Sequence, residues 1–69
     1  MHQRKRTVLE AAWRGGFTTK SDTARAYADE VAWAASSGLI STEEEPGKFG
    51  RVWRITPPGL VLLWEEDRA

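Results

Sequence analysis

Residues 20–40, KSDTARAYADEVAWAASSGLI, decide how the rest of the chain is read. Apolar side chains recur at Ala24, Tyr27, Ala28, Val31, Ala34 and Ala35, the three-and-four spacing that places them on one helix face. Ser21 or Asp22 supplies the start, because a short side-chain oxygen satisfies an orphan amide of the first turn. Gly38 supplies the stop, since glycine takes the left-handed C-terminal conformation without a steric cost. Leu39 and Ile40 then carry the chain into the core. The spacing predicts helix over 20–37, either as one helix or as two short ones bent near Tyr27. No Pro or Gly marks a break there.

Toward the amino terminus, Val8, Leu9, Ala12 and Trp13 form an apolar stripe over 5–14, closed by Gly15 and Gly16. Residues 1–4 are expected to fray. Phe17, Thr18 and Thr19 read as a short extended link, with Phe17 anchored in the core. Toward the carboxyl terminus the period changes from helix to strand. Residues 40–43 and 51–56 read as strands around turn chemistry at 46–50. Alternation puts Trp53 and Ile55 against the helices, Arg54 outward and Arg51 near the tip. Pro57 and Pro58 open a last helix over 58–66, a position where a missing amide costs nothing. Leu60, Val61, Leu63 and Trp64 give it an apolar face. The expected fold class is α+β: helices packed on a two-stranded hairpin, with Phe17, Val31, Leu39, Ile55 and Leu60 in one core.

Sixty-nine residues make one domain over 1–69, and a chain this short buries only about 60% of its unfolded surface. Without Cys, disulfides and thiolate metal sites are excluded, which fits a cytoplasmic location. No apolar run approaches the roughly 20 residues of a membrane span, so no membrane partner is expected. The basic start at 2–6 leads into an amphipathic helix rather than a secretory apolar segment. Ten basic and ten acidic residues cancel. A nucleic-acid binder depends on phosphate contacts, so any attraction to DNA has to come from local clustering. Basic residues gather at Arg4, Lys5 and Arg6 and at Lys48, Arg51 and Arg54. Acidic ones gather at 43–45 and 65–67. The chain is dipolar.

Enzyme chemistry fails on inventory. His2 is the single histidine and sits at the terminus. The glutamate runs lack a neighbouring Lys or His, or a buried setting, that would tune one carboxylate for acid–base work. No phosphate loop and no metal-ligand spacing occur, so no cofactor, metal or catalytic residue is expected. The chain reads as a binding module.

Two stretches carry a family resemblance. Residues 15–25, GGFTTKSDTAR, look like the lead-in to the second helix of a winged helix-turn-helix. Gly38-Leu39-Ile40 and residues 53–60, WRITPPGL, look like its wing and the helix that follows. Over about residues 7–64 the chain resembles the winged helix-turn-helix superfamily, and in particular small winged-helix proteins of bacteriophages and prophages. That resemblance implies DNA binding and transcription regulation. Between Arg25 and Gly38 the chain is several residues shorter than a turn plus a full recognition helix requires, so the motif is contracted.

In DNA-binding members the recognition helix touches bases and the wing touches phosphate or the minor groove. Carried over, this implicates Lys20, Ser21, Thr23 and Arg25 at the helix start and Lys48, Arg51 and Arg54 in the wing. The partner would be double-stranded DNA, with a homodimer supplying the affinity that one small neutral domain lacks. Each assignment has a plainer counterpart. Lys20 to Arg25 can serve as helix cap and solvated first turn, and the wing cations can pair across the hairpin with Glu43 to Glu45. Arg4, Lys5 and Arg6 can be a DNA arm or simply a charged terminus. Trp33 fits DNA worst. On a continuous helix it lies opposite the apolar stripe, near Asp22, Ala26 and Asp29, where an aromatic ringed by acids suits a protein partner. The alternative function is therefore a protein-interaction module using Trp33 and Asp29, unless Trp33 packs against the wing or the last helix.

Overall fold

The structure, a computed structural model, describes residues 2–67. Its elements run α1 (Gln3–Trp13), β1 (Phe17–Thr18), α2 (Asp22–Ala26), α3 (Ala28–Ser36), β2 (Ile40–Glu45), β3 (Lys48–Ile55) and α4 (Pro57–Asp67). The fold class is α+β. Helix α1 lies at the centre, packed on α3, α4 and β3. Val8 and Leu9 on its inner face are fully buried, and Phe17, Val31, Ala34, Ile40 and Leu63 close around them.

Several expectations change in detail. Helix α1 begins at Gln3 rather than fraying to residue 4, because the His2 ring Nδ1 accepts the Arg4 amide hydrogen at 3.2 Å. Met1 lies outside the described residues. The hairpin strands are longer than the β-rich composition suggested and meet at a turn of Pro46 and Gly47. The sheet has three strands rather than two, in the order β1-β3-β2. The short link holds Phe17 opposite Trp53 and Thr18 opposite Val52. A two-residue strand carries too little pattern to be seen in sequence; its partner supplies the hydrogen bonds. Leu60 is half-buried, and Leu63 one turn later takes the fully buried place on α4.

Residues 22–36 form two helices joined at Tyr27, whose φ of −117° and ψ of 33° leave the helical region. A tertiary contact meets this junction. An Arg4 guanidinium nitrogen donates to the Ala26 carbonyl at 2.7 Å and to Glu30 Oε1 at 3.2 Å, with its carbon 4.6 Å from the Tyr27 ring centre. The last carbonyl of α2 is thus satisfied from α1 instead of by the next turn alone. The shortage seen in the sequence is absorbed here: α2 has five residues, the junction is one residue, and α3 has nine.

After α3, Gly38 adopts φ +72° as the stop predicts. Thr56 then ties the two ends of the hairpin together. Its hydroxyl donates to the Gly38 carbonyl at 2.6 Å and accepts the Gly59 amide hydrogen at 3.2 Å, capping α4. Its own amide donates to the Leu39 carbonyl at 3.0 Å.

Candidate functional site

The residues singled out at the start of α2 are largely occupied by folding. The Ser21 hydroxyl accepts the Ala24 amide hydrogen at 3.2 Å and donates to the Thr18 carbonyl at 2.7 Å, as an N-cap residue does. Arg25 pairs with Asp22 and donates to the Lys20 carbonyl at 2.8 Å. Thr23 is half-buried. Lys20 is exposed, and among the described residues its side chain has no ion-pair partner.

On the hairpin the cations divide. Lys48 faces Glu45 in the ladder and lies 3.6 Å from its carboxylate, an exposed pair of small energetic weight. Arg51 and Arg54 are exposed and, among the described residues, make no ion pair. Arg54 projects from the outer sheet face, opposite Ser41. The Arg51 carbonyl accepts the Thr19 amide hydrogen at 2.8 Å, which brings Lys20 beside it. A further cation emerges that the sequence reading passed over. Arg14, exposed and without an ion-pair partner among the described residues, precedes the Gly15–Gly16 turn into β1. That turn approaches Arg54 closely, since a Cβ on Gly16 would lie 3.4 Å from Arg54 Cγ. Arg14 belongs to the apolar first helix in sequence, and only the β1–β3 pairing brings it toward Arg54.

Among the described residues Arg14, Lys20, Arg51 and Arg54 thus make no ion pair; Arg14 and Lys20 flank the β1 edge, while Arg51 and Arg54 stand on the central strand β3, three positions apart and on opposite faces. Glu43, Glu44 and Glu45 lie on β2, at the opposite edge. The charges do not divide cleanly across the sheet: Lys48, Arg51 and Arg54 are on β3, the partner of β2, and the Glu44 side chain lies over Gly50 of β3. Helix α3 brings no positive charge, because ADEVAWAAS holds two acids and no Lys or Arg.

The amino-terminal cations are not a free arm. Arg4 clamps Ala26 and Glu30, and its hydrogen bond holds the Glu30 carboxyl below the usual carboxylate range. Lys5 Nζ lies 4.6 Å from the centre of the Trp33 ring. Trp33 itself corrects the helical-wheel reading. It does not point away from the core but is half-buried, packed against the core under α1. Of the acids expected around it, Asp22 lies on α2 and pairs with Arg25, while Asp29, one turn before Trp33 on α3, stays exposed. The large apolar side chains that do reach solvent are Trp13, Phe49, Val61 and Trp64.

Among the described residues no three His, Asp or Glu side chains converge as metal ligands would. No helix among them is long and apolar enough to cross a membrane. No protein-family model matches the chain, and neither a curated protein nor a solved structure matches it.

Proposed function

We propose that this chain is a DNA-binding module of the winged-helix type, a small regulator rather than an enzyme, which grips duplex phosphates along the β1–β3 side of its sheet. The observation that supports the reading is that Arg14, Lys20, Arg51 and Arg54 are exposed and, among the described residues, make no ion pair. Phosphate contacts supply affinity without sequence information. Helix α3 occupies the place of a recognition helix in the order of elements, yet Asp29 and Glu30 would repel the phosphates flanking a groove. The reading therefore expects backbone-dominated binding with little sequence discrimination by α3.

A salt-titrated binding assay on mixed-sequence duplex DNA tests this. About four phosphate contacts give a slope of log K against log salt of about −3 to −4. Replacing Arg51 and Arg54 with Ala should weaken binding to every sequence alike and flatten the slope by about two contacts. An unchanged affinity and slope would assign both side chains to the hairpin and remove the reading's main support.

A further inference from the structure

Strand β2 is an edge: in the order β1-β3-β2 its outer side has no neighbour. It carries the exposed Glu43, Glu44 and Glu45, and across the ladder from Glu43 stands Phe49, 69% exposed. An open edge with an apolar side chain beside it invites pairing with another chain unless charge forbids it. Two β2 edges brought together would set glutamate against glutamate, so like-edge pairing is disfavoured by repulsion. The opposite side of the same sheet has the complementary sign. There Arg14 and Lys20 flank β1 and, among the described residues, make no ion pair, and Trp13, 48% exposed, directly precedes Arg14 in the chain. Net charge is zero, so no long-range repulsion keeps copies apart.

We infer that the chain associates with a second copy head to tail, the β2 edge and Phe49 of one docking on the β1 side and Trp13 of the next. A contact between two different surfaces builds a ring or an open chain of copies rather than a two-fold dimer, and one held by exposed charges is weak and sensitive to salt. The docked carboxylates occupy the cations that duplex phosphates would take, and the two states exclude each other. That exclusion rests on the DNA reading; the self-association does not.

Sedimentation of the full chain without DNA is the first test, run over a concentration series at about 20 mM and about 300 mM salt, on either side of strong screening. The expected result is a mass that rises with concentration at low salt and returns to the 7.8 kDa monomer at high salt. A monomer throughout overturns the proposal. Association indifferent to salt also overturns it, and would move the contact to the exposed Val61 and Trp64 of α4. The variants E43Q/E44Q/E45Q and, separately, F49S should each raise the dissociation constant about tenfold, a loss expected for a few exposed ionic contacts or one apolar anchor. Circular dichroism shows whether each is folded, and R14Q on the receiving side gives the same readout should either misfold. Wild-type affinity in the folded variants sinks the proposal. Added duplex should disperse the assemblies. Duplex that fails to bind at all defeats the DNA reading and leaves the self-association result standing.

Discussion

Gly59 has an ordinary helical backbone, so alanine in its place would normally favour the helix by about 1 kcal/mol. Its surroundings reverse the sign. A Cβ there would lie 2.1 Å from the Leu39 carbonyl oxygen and 2.8 Å from Ile55 Cγ1, and a backbone carbonyl cannot swing aside. Gly59→Ala is expected to destabilise by about 2 kcal/mol or more through overpacking, with a lowered denaturant midpoint as the readout. Trp33 carries the second prediction at this scale. A side chain opposite the apolar stripe would tolerate truncation, whereas one half-buried beneath Lys5 would not. Trp33→Ala is expected to cost about 2 kcal/mol, less than the 3–5 of a fully buried aromatic. Denaturation at a concentration where the protein is monomeric measures it, and a loss below about 0.5 kcal/mol, the scale of a surface substitution, would return Trp33 to the surface.

At the scale of elements, two contacts hold helices in place that sequence alone leaves loose. Thr56 caps α4 and reaches back to the end of α3, so Thr56→Val keeps the shape and removes both bonds. The expected loss is about 1–2 kcal/mol, seen as a lower melting temperature. The Arg4–Glu30 pair fastens α1 to the α2–α3 junction and predicts a pH dependence. Glu30 has a lowered pKa in the folded chain, chiefly through the Arg4 hydrogen bond. Its contribution is therefore present above the unfolded carboxylate range, and it is lost as pH falls through that range and the lower folded value. Glu30→Gln should lower stability at pH 7 and narrow the gap between neutral and acidic stability. Denaturant midpoints at pH 7 and at about pH 3, below the ordinary carboxylate range, provide the comparison. An equal acid loss in both proteins would show that the pair contributes nothing.

For the molecule as a whole, the arrangement of charge matters more than its sum. Equal numbers of acids and bases would predict indifference to a polyanion, yet three acids gather on β2 while four exposed cations make no ion pair among the described residues. Under the DNA reading the β2 glutamates act as a repulsive flank. E43Q/E44Q/E45Q should then bind duplex more tightly, by roughly threefold to tenfold at low salt, and the gain should vanish as screening grows. Comparing wild type and variant across the same salt series checks this. A variant that binds no better at low salt would place the glutamates too far from the DNA path to matter.

Periodicity determined most of the elements. The stripe of Val8, Leu9 and Ala12, the stop at Gly38, the Pro-Gly turn and the helix opened by Pro57 are local signals, written in residues that touch neighbours three or four positions away. The α+β class and the buried Phe17, Val31 and Leu39 follow from them. The positions of the charges were also legible, and with them the dipole along the chain. Tertiary structure alone decided the rest. Periodicity left one helix or two over 20–37 open; the structure has two, and Arg4 reaches the Ala26 carbonyl at their junction across 22 residues, a contact that no local pattern encodes. Trp33 packs half-buried against the core, and of the acids assigned to its surround Asp22 lies on the other helix, paired with Arg25. The pairing of β1 with β3 brought the turn after Arg14 up to Arg54 and the segment before Lys20 to Arg51, because a hydrogen-bonded ladder joins residues by register and not by sequence distance.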